Sequence, residues 1–305
     1  MQIFTTKDGF PGNKVTSFAA CKTNLAVGTD KGVAIWDGKT CLWTPLELPE
    51  RFSGGVIKDV GFDLEGNLWI ASGNGLGQYQ PDCKMVFAYD GSDGLPNSDV
   101  ERLQVLKDEI VIACYGGFIS KAVLPTSGCK TRFLPVNFSQ DSSMRPGMTL
   151  KSVGITGFAL AHSSSGWFST KGAGLVPMDG TEGEPIGKSQ GLASDWVEAF
   201  WLFLDPKDQR EKILVGTPEG LSLVEGRGVV EKNVFPYPET WITGVVLGKT
   251  TVESEIESTD SLSSFIGKGK VIYVGTKSSG LWRFAEGGWV SLTAENPNFP
   301  LKNVN

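Results

Sequence analysis

Ten side chains at predicted turns and links combine aromatic rings, an amide and charges of both signs. They are Asn13, Lys14, Asp99, Tyr115, Lys171, Asp195, Trp196, Glu219, Trp241 and Lys277. Flat aromatic rings stack on apolar ligand faces, and polar groups fix the ligand's orientation. This mixture of residue types therefore predicts a binding site for a small molecule, a glycan or a peptide.

Signatures of covalent or metal catalysis are absent from the sequence. The single histidine, His162, excludes a multi-histidine zinc site, and its predicted hairpin position argues against a histidine-based triad. Acidic residues are plentiful, but Asp90, Asp93 and Asp99 fail the spacing of a calcium loop. We predict no catalytic residue, no metal and no cofactor. A lyase or hydrolase that works through carboxylates is the less favoured alternative, so enzyme activity is left open.

The net charge of -6 argues against nucleic-acid partners, which require a basic surface. It also argues against attraction to anionic membrane surfaces. No apolar run reaches the roughly 18 residues that a membrane-spanning helix needs. The sequence therefore predicts no nucleic-acid partner and no membrane insertion.

The elements that must position the ten candidates form a repeat that occurs six times. In each copy an apolar strand ends in a small residue followed by Thr, Ser or Cys, and a glycine then begins a second strand. The copies are Leu25–Thr29 with Gly32–Trp36, Leu68–Ser72 with Gly75–Tyr79, Ile110–Cys114 with Gly117–Lys121, Gly166–Thr170 with Gly174–Met178, Ile213–Thr217 with Gly220–Val224, and Ile272–Thr276 with Gly280–Phe284. Strand pairs that recur every roughly 40 to 60 residues predict an all-β propeller.

Six copies predict six blades of four antiparallel strands in a single domain over residues 1–305. The small residue before each Thr is expected to let neighbouring blades approach, and Trp69, Trp167 and Tyr273 are expected to fill the space between blades. A further lead-in motif at Phe299–Val304 resembles Phe10–Val15. That motif leaves a seventh blade, or a fragment of a longer array, as alternatives.

One long segment, residues 249–270, lengthens the first hairpin of the sixth blade. It carries Glu253, Glu255, Glu257 and Asp260. Its polar and charged composition predicts a mobile loop. The alternative is a surface that meets a basic protein partner, with the whole chain acting as a protein–protein interaction scaffold.

Asp90–Val100 and Gly66–Ser72 resemble the two-component regulator propeller repeat. The resemblance implies a β-propeller of the kind found in the sensor parts of bacterial signal-transduction proteins. It also implies a periplasmic or extracellular location, whereas the N-terminal residues lack a signal-peptide profile and leave a cytoplasmic location as the alternative. The favoured interpretation is a non-enzymatic, sensor-type propeller that binds a ligand at the mouth of its channel.

Overall fold

The protein is described by a computed structural model. It covers residues 5–82, 84–125, 129–136, 153–160, 166–178, 184–205, 208–237, 239–249, 261–266, 269–285 and 288–295. Three groups of residues discussed above lie outside the described residues: His162, the acidic side chains between 253 and 260, and the motif at 299–304. The chain forms two compact units, residues 2–137 and residues 138–305. We call them the first and second units.

The first unit contains three four-stranded antiparallel sheets, in which each strand pairs with the next along the chain. The strands of blade 1 are β1 Val15–Cys21, β2 Asn24–Thr29, β3 Gly32–Asp37 and β4 Leu42–Pro45. Those of blade 2 are β5 Ile57–Phe62, β6 Leu68–Ser72, β7 Gly75–Gln80 and β8 Met85–Tyr89. Those of blade 3 are β9 Val100–Val105, β10 Glu109–Cys114, β11 Phe118–Val123 and β12 Leu134–Pro135.

The second unit contains three further sheets with the same strand order. Blade 4 has β13 Ile155–Leu160, β14 Gly166–Thr170 and β15 Leu175–Pro177. In place of an outer strand, Ile186 forms an isolated antiparallel bridge with Leu175. Blade 5 has β16 Ala199–Leu204, β17 Glu211–Thr217, β18 Gly220–Glu225 and β19 Gly228–Glu231. Blade 6 has β20 Ile242–Lys249, β21 Lys270–Thr276, β22 Gly280–Ala285 and β23 Gly288–Ser291. Two short helices, α1 Ser261–Ile266 and α2 Leu292–Glu295, belong to the same unit.

These six sheets confirm the predicted all-β class and the six-bladed β-propeller. The repeated sequence copies are the second and third strands of each blade, as expected. The prediction of a single domain over residues 1–305 stays a prediction.

A buried hydroxyl explains why Thr or Ser ends the second strand. In five blades this hydroxyl donates to the carbonyl at the start of the third strand, at 2.8–3.1 Å. The same oxygen accepts a backbone N–H from the turn. The donor–acceptor pairs are Thr29 with Gly32, Ser72 with Gly75, Thr170 with Gly174, Thr217 with Gly220, and Thr276 with Gly280. The hydroxyl thus closes the turn between the second and third strands by bonding backbone groups on both sides of it.

Close packing explains the small residue that precedes the hydroxyl. A Cβ added to Gly28 would lie 2.9 Å from Cγ2 of Ile57, on the inner strand of the next blade. A Cβ on Gly216 would lie 2.6 Å from Cγ2 of Ile242. Both distances are shorter than side chains tolerate, so glycine is what allows these neighbouring blades to approach.

Large aromatic side chains fill the space between neighbouring blades at two of the three predicted positions. Trp69 has no exposed surface and packs in the same cluster as Leu103 of blade 3. Trp167, which is 3% exposed, packs in the same cluster as Ile213 of blade 5. Tyr273 is 37% exposed instead, so it does not fill a wedge as expected. Its hydroxyl makes such exposure tolerable.

The described part of segment 249–270 packs against the protein surface. Phe265 of α1 is buried, and its ring meets that of Phe203 at 5.9 Å. The buried Lys212 ammonium donates to the Phe265 carbonyl at 3.1 Å and pairs with Asp205 at 2.7 Å. The expectation of a mobile loop is therefore wrong for residues 261–266, because apolar side chains of α1 bury themselves against blades 5 and 6.

Candidate functional site

In both units, the links that precede the inner strands share one face with the turns between second and third strands. The first residue of an inner strand pairs with the last residue of the second strand, as Val15 does with Thr29 and Ile242 with Thr276. The pairing places the link and the turn side by side. We call this side of each unit the link face, and all ten candidate residues belong to it.

Four candidates come together on the link face of the second unit. The Lys171 ammonium lies 5.7 Å from the centroid of the Trp196 ring. The rings of Trp196 and Trp241 meet edge to face at 5.3 Å, with an interplanar angle of 72°. The Lys277 ammonium lies 3.6 Å from the centroid of Trp241. We call these four residues the Trp-Lys row.

Backbone contacts explain why side chains from three blades meet in this row. Lys171 and Trp196 form an antiparallel bridge between blade 4 and the link to blade 5. The Lys277 N–H donates to the Trp241 carbonyl at 2.9 Å, which ties the blade 6 turn to its own link. The tryptophans are partly buried and both lysines are exposed. The row is therefore anchored by its backbone and presents its charges to solvent.

The row itself carries two positive charges, and the Glu198 carboxylate lies beside it. Glu198 accepts a hydrogen bond from Trp196 Nε1 at 2.8 Å, so it orients that ring. No ion pair joins Lys171 or Lys277 to an acidic group within the described ranges of the chain. By contrast, Lys188 in the same unit pairs with Glu219 at 3.1 Å. The row can therefore offer two ammonium groups and two partly exposed rings to a ligand.

The two remaining candidates of the second unit stabilise the link itself. Asp195 Oδ1 accepts a hydrogen bond from the backbone N–H of Lys188 at 2.6 Å. Lys188 is the first residue of the 3-10 turn Lys188–Gln190. The Asp195 carbonyl accepts from Gly174 at 2.8 Å. Glu219 is engaged by the Lys188 ammonium. Both acids thus have structural partners and are not brought into the Trp-Lys row by any contact described.

In the first unit, no described contact joins the side chains of the four candidates, although the Tyr115 N–H donates to the Asp99 carbonyl at 2.8 Å. Asn13 Oδ1 accepts from the Thr6 N–H at 3.0 Å, the same role that Asp195 plays in the second unit. Lys14 is exposed, and its carbonyl accepts from Asp30. Asp99 forms an ion pair with Lys58. Tyr115 is 62% exposed. Asn13 and Asp99 are thus engaged within the fold, whereas Lys14 and Tyr115 present their side chains to solvent.

Sequence reasoning missed two charged residues that hold candidates in place. Glu198 orients Trp196, and Lys58 pairs with Asp99. Glu198 stands two residues after Trp196, and alternate residues of an extended segment point to the same side. The two-residue spacing could therefore have indicated that Glu198 lies beside Trp196. Lys58 and Asp99 are distant in sequence and carried no comparable signal.

In the part of the chain that the structure describes, no three His, Cys, Asp or Glu side chains lie close enough together to hold a metal ion. No described helix has the length and apolar character needed to cross a membrane.

The comparisons with known proteins support the fold. No protein-family model matches the chain, and neither does any curated protein. Among solved structures, the β-propeller domain of Myceliophteria thermophila Cps50 (Swd1) aligns with a TM-score of 0.57 at 12% identity, over 92% of this chain and 86% of that chain. YCF48 bound to D1 peptide aligns with a TM-score of 0.57 at 11% identity, over 90% of this chain and 80% of that chain.

A third similar structure comes from a signalling protein. The extracellular domain of the one-component system BT4673 from B. thetaiotaomicron aligns with a TM-score of 0.54 at 16% identity. The alignment covers 95% of this chain and 41% of that domain. At such identities, the likeness to all three structures shows a shared β-propeller fold.

Proposed function

We propose that this protein is a non-enzymatic, sensor-type propeller that binds a small molecule, a glycan or a peptide on the link face of its second unit. The observation that carries the proposal is the Trp-Lys row, in which side chains from three blades meet. Loops held by a rigid scaffold are where binding residues concentrate. Lys171, Trp196, Trp241 and Lys277 are the residues that we expect to contact the ligand.

Two of the similar structures are consistent with this proposal. YCF48 was solved with a bound peptide, and BT4673 contributes an extracellular domain of a one-component system. We extend the proposal to an extracellular or periplasmic location. Detection of the native protein outside the cytoplasm would support that location, and its recovery with cytoplasmic markers would overturn it.

A calorimetric screen tests the binding proposal. The full chain is titrated with panels of peptides, oligosaccharides and small metabolites. Each hit is then repeated with Trp196→Ala, Trp241→Ala and the control Trp201→Ala, which removes a 37% exposed tryptophan from β16. We expect a hit to lose at least about tenfold in affinity in the first two variants, because partly exposed aromatic side chains dominate such contacts. The control should keep its affinity.

Two results would overturn the proposal. One is a set of hits whose affinities do not change when Trp196 or Trp241 is removed, since the ligand would then bind elsewhere. The other is chemical turnover of a bound compound, which would move the protein to the enzyme class.

A further inference from the structure

The Trp-Lys row holds two ammonium groups in defined positions, and no acidic group of the described residues forms an ion pair with either. Lys171 and Lys277 are exposed, each lies over a different tryptophan ring, and neither forms an ion pair with any described residue. Other lysines of the second unit do find acids, as Lys188 does with Glu219 and Lys212 with Asp205. The two ammoniums of the row are therefore available to an outside anion.

Contact with a ring orients an ammonium group without using up its hydrogen-bonding capacity. An ammonium has three N–H donors, and a ring below it occupies one side of the group. The remaining donors point away from the ring and can reach a carboxylate. A ligand with two acidic groups could therefore engage both lysines and leave the cation–π contacts in place.

The ring geometry disfavours a ligand that relies on stacking. Lys277 covers one face of Trp241 at 3.6 Å, and Trp196 meets Trp241 edge to face at 72°. Sugar rings need an open, flat aromatic face, and side chains of the protein itself partly occupy those faces here. Recognition by charge is therefore better supported than recognition by stacking.

We propose that the Trp-Lys row binds an acidic peptide segment whose carboxylates contact Lys171 and Lys277. This inference rests on the proposed function and names the ligand class for the same site. A peptide satisfies the geometry because its side chains can present carboxylates to both ammoniums along an extended backbone. Its non-acidic parts need no flat surface.

The test uses hexaglutamate with blocked ends as the probe. It is titrated into the full chain at low salt, and binding is followed by calorimetry and tryptophan fluorescence. Hexaglutamine is the uncharged control peptide. Trigalacturonate tests whether carboxylates carried by a glycan bind as well. Lys171→Gln and Lys277→Gln remove one charge each. Lys107→Gln is the matched control, because Lys107 is an exposed lysine in the turn between β9 and β10 of the first unit.

We expect hexaglutamate to bind and hexaglutamine to bind at least about tenfold more weakly. Each substitution in the row should lower the affinity about fivefold, as the loss of one partly exposed ion pair does, and higher salt should weaken binding. The control should stay within about twofold of the unsubstituted chain.

Three results would overturn the inference. They are equal binding of hexaglutamate and hexaglutamine, unchanged affinity in both row variants, and tighter binding of trigalacturonate than of hexaglutamate. If a neutral ligand of the calorimetric screen depends on Trp196 while hexaglutamate does not bind, the acidic-peptide inference fails and the proposed function stands. If no ligand depends on the row, both fail.

Discussion

At the scale of single residues, one buried hydroxyl in each of five blades explains the most regular feature of the chain. Thr217, which has no exposed surface, donates to the Gly220 carbonyl at 3.0 Å and accepts from the Glu219 N–H at 3.1 Å. Blade 3 carries Cys114 at the equivalent position. Burial raises the pKa of the Cys114 thiol to about 12, so this cysteine stays protonated and unreactive at neutral pH.

We predict that Thr217→Val lowers the free energy of unfolding by about 1–2 kcal/mol, because the near-isosteric side chain removes both buried hydrogen bonds of the hydroxyl. Urea unfolding followed by circular dichroism measures the change. Thr44→Val is the control, since Thr44 is exposed on the outer strand β4. Equal stability of the two variants would show that the hydroxyl contributes nothing to the turn.

A second residue-scale feature is the carboxyl group of Asp59, which joins the inner strands of blades 2 and 3. It accepts from the N–H groups of Val60 at 2.9 Å and Leu103 at 3.0 Å. Burial raises its pKa to about 6, against the lowering effects of these hydrogen bonds and of Arg102. The folded protein therefore holds a proton at Asp59 between about pH 4 and 6, where the unfolded chain has already released it.

We predict that the stability contributed by Asp59 is fully present below about pH 4 and is lost as the pH rises through about 6. The full loss amounts to about 3 kcal/mol on the scale of 1.36 kcal/mol per pKa unit. Asp59→Asn keeps the acceptor oxygen and removes the titration. The unfolding free energy of the wild type minus that of the variant, measured from pH 4 to 7, should therefore decrease as the pH rises. A pH-independent difference would contradict the assignment.

At the scale of elements, neighbouring blades of one unit are held by apolar packing that glycines make possible. Gly216 of β17 faces Ile242 of β20, and a Cβ there would lie 2.6 Å from Cγ2 of Ile242. Gly244 of the same β20 has no atom within 4 Å of its added Cβ. The two glycines therefore differ in whether the packing requires them.

We predict that Gly216→Ala destabilises the protein by about 1–3 kcal/mol, because the added methyl group must push blades 5 and 6 apart. Gly244→Ala should be neutral or slightly stabilising, since alanine restricts the unfolded chain and meets open space. Thermal unfolding of both variants makes the comparison. The packing argument fails if Gly244→Ala is the more damaging of the two.

At the scale of the whole molecule, burial is distributed in the same way in several blades. Every residue of the second strands β6 and β14 is buried, whereas the outer strands β4 and β12 are mostly exposed. An outer strand also forms hydrogen bonds with only one neighbouring strand, whereas a second strand forms them with two. The stability of a blade is therefore expected to decrease outward from its second strand.

We predict that amide hydrogen exchange is slowest in β6, β10, β14 and β17 and fastest in β4, β12 and β19, because local opening costs least where burial is lowest. Exchange followed by mass spectrometry of peptic fragments gives the order. Uniform protection across the strands of a blade would contradict this gradient.

The sequence by itself determined the six-bladed fold and the position of each second and third strand. Both follow from local patterns: apolar strands of fixed length, a hydroxyl at the strand end and a glycine at the turn. It also indicated that Trp196, in a link, and Lys277, in a turn, lie on the same kind of face, since links and turns recur with the repeat. The acidic-peptide proposal builds on that placement.

Only the tertiary structure decided which of the ten candidates meet. In the sequence, Asn13 and Asp195 are as suitable for ligand binding as Lys171. In the structure, however, their side chains accept hydrogen bonds from backbone N–H groups of short turns. The Trp-Lys row and the packing of α1 depend on residues from different blades, whose separation along the chain carries no distance information. The local pattern thus sets the blades, and the packing of one blade on the next sets the site.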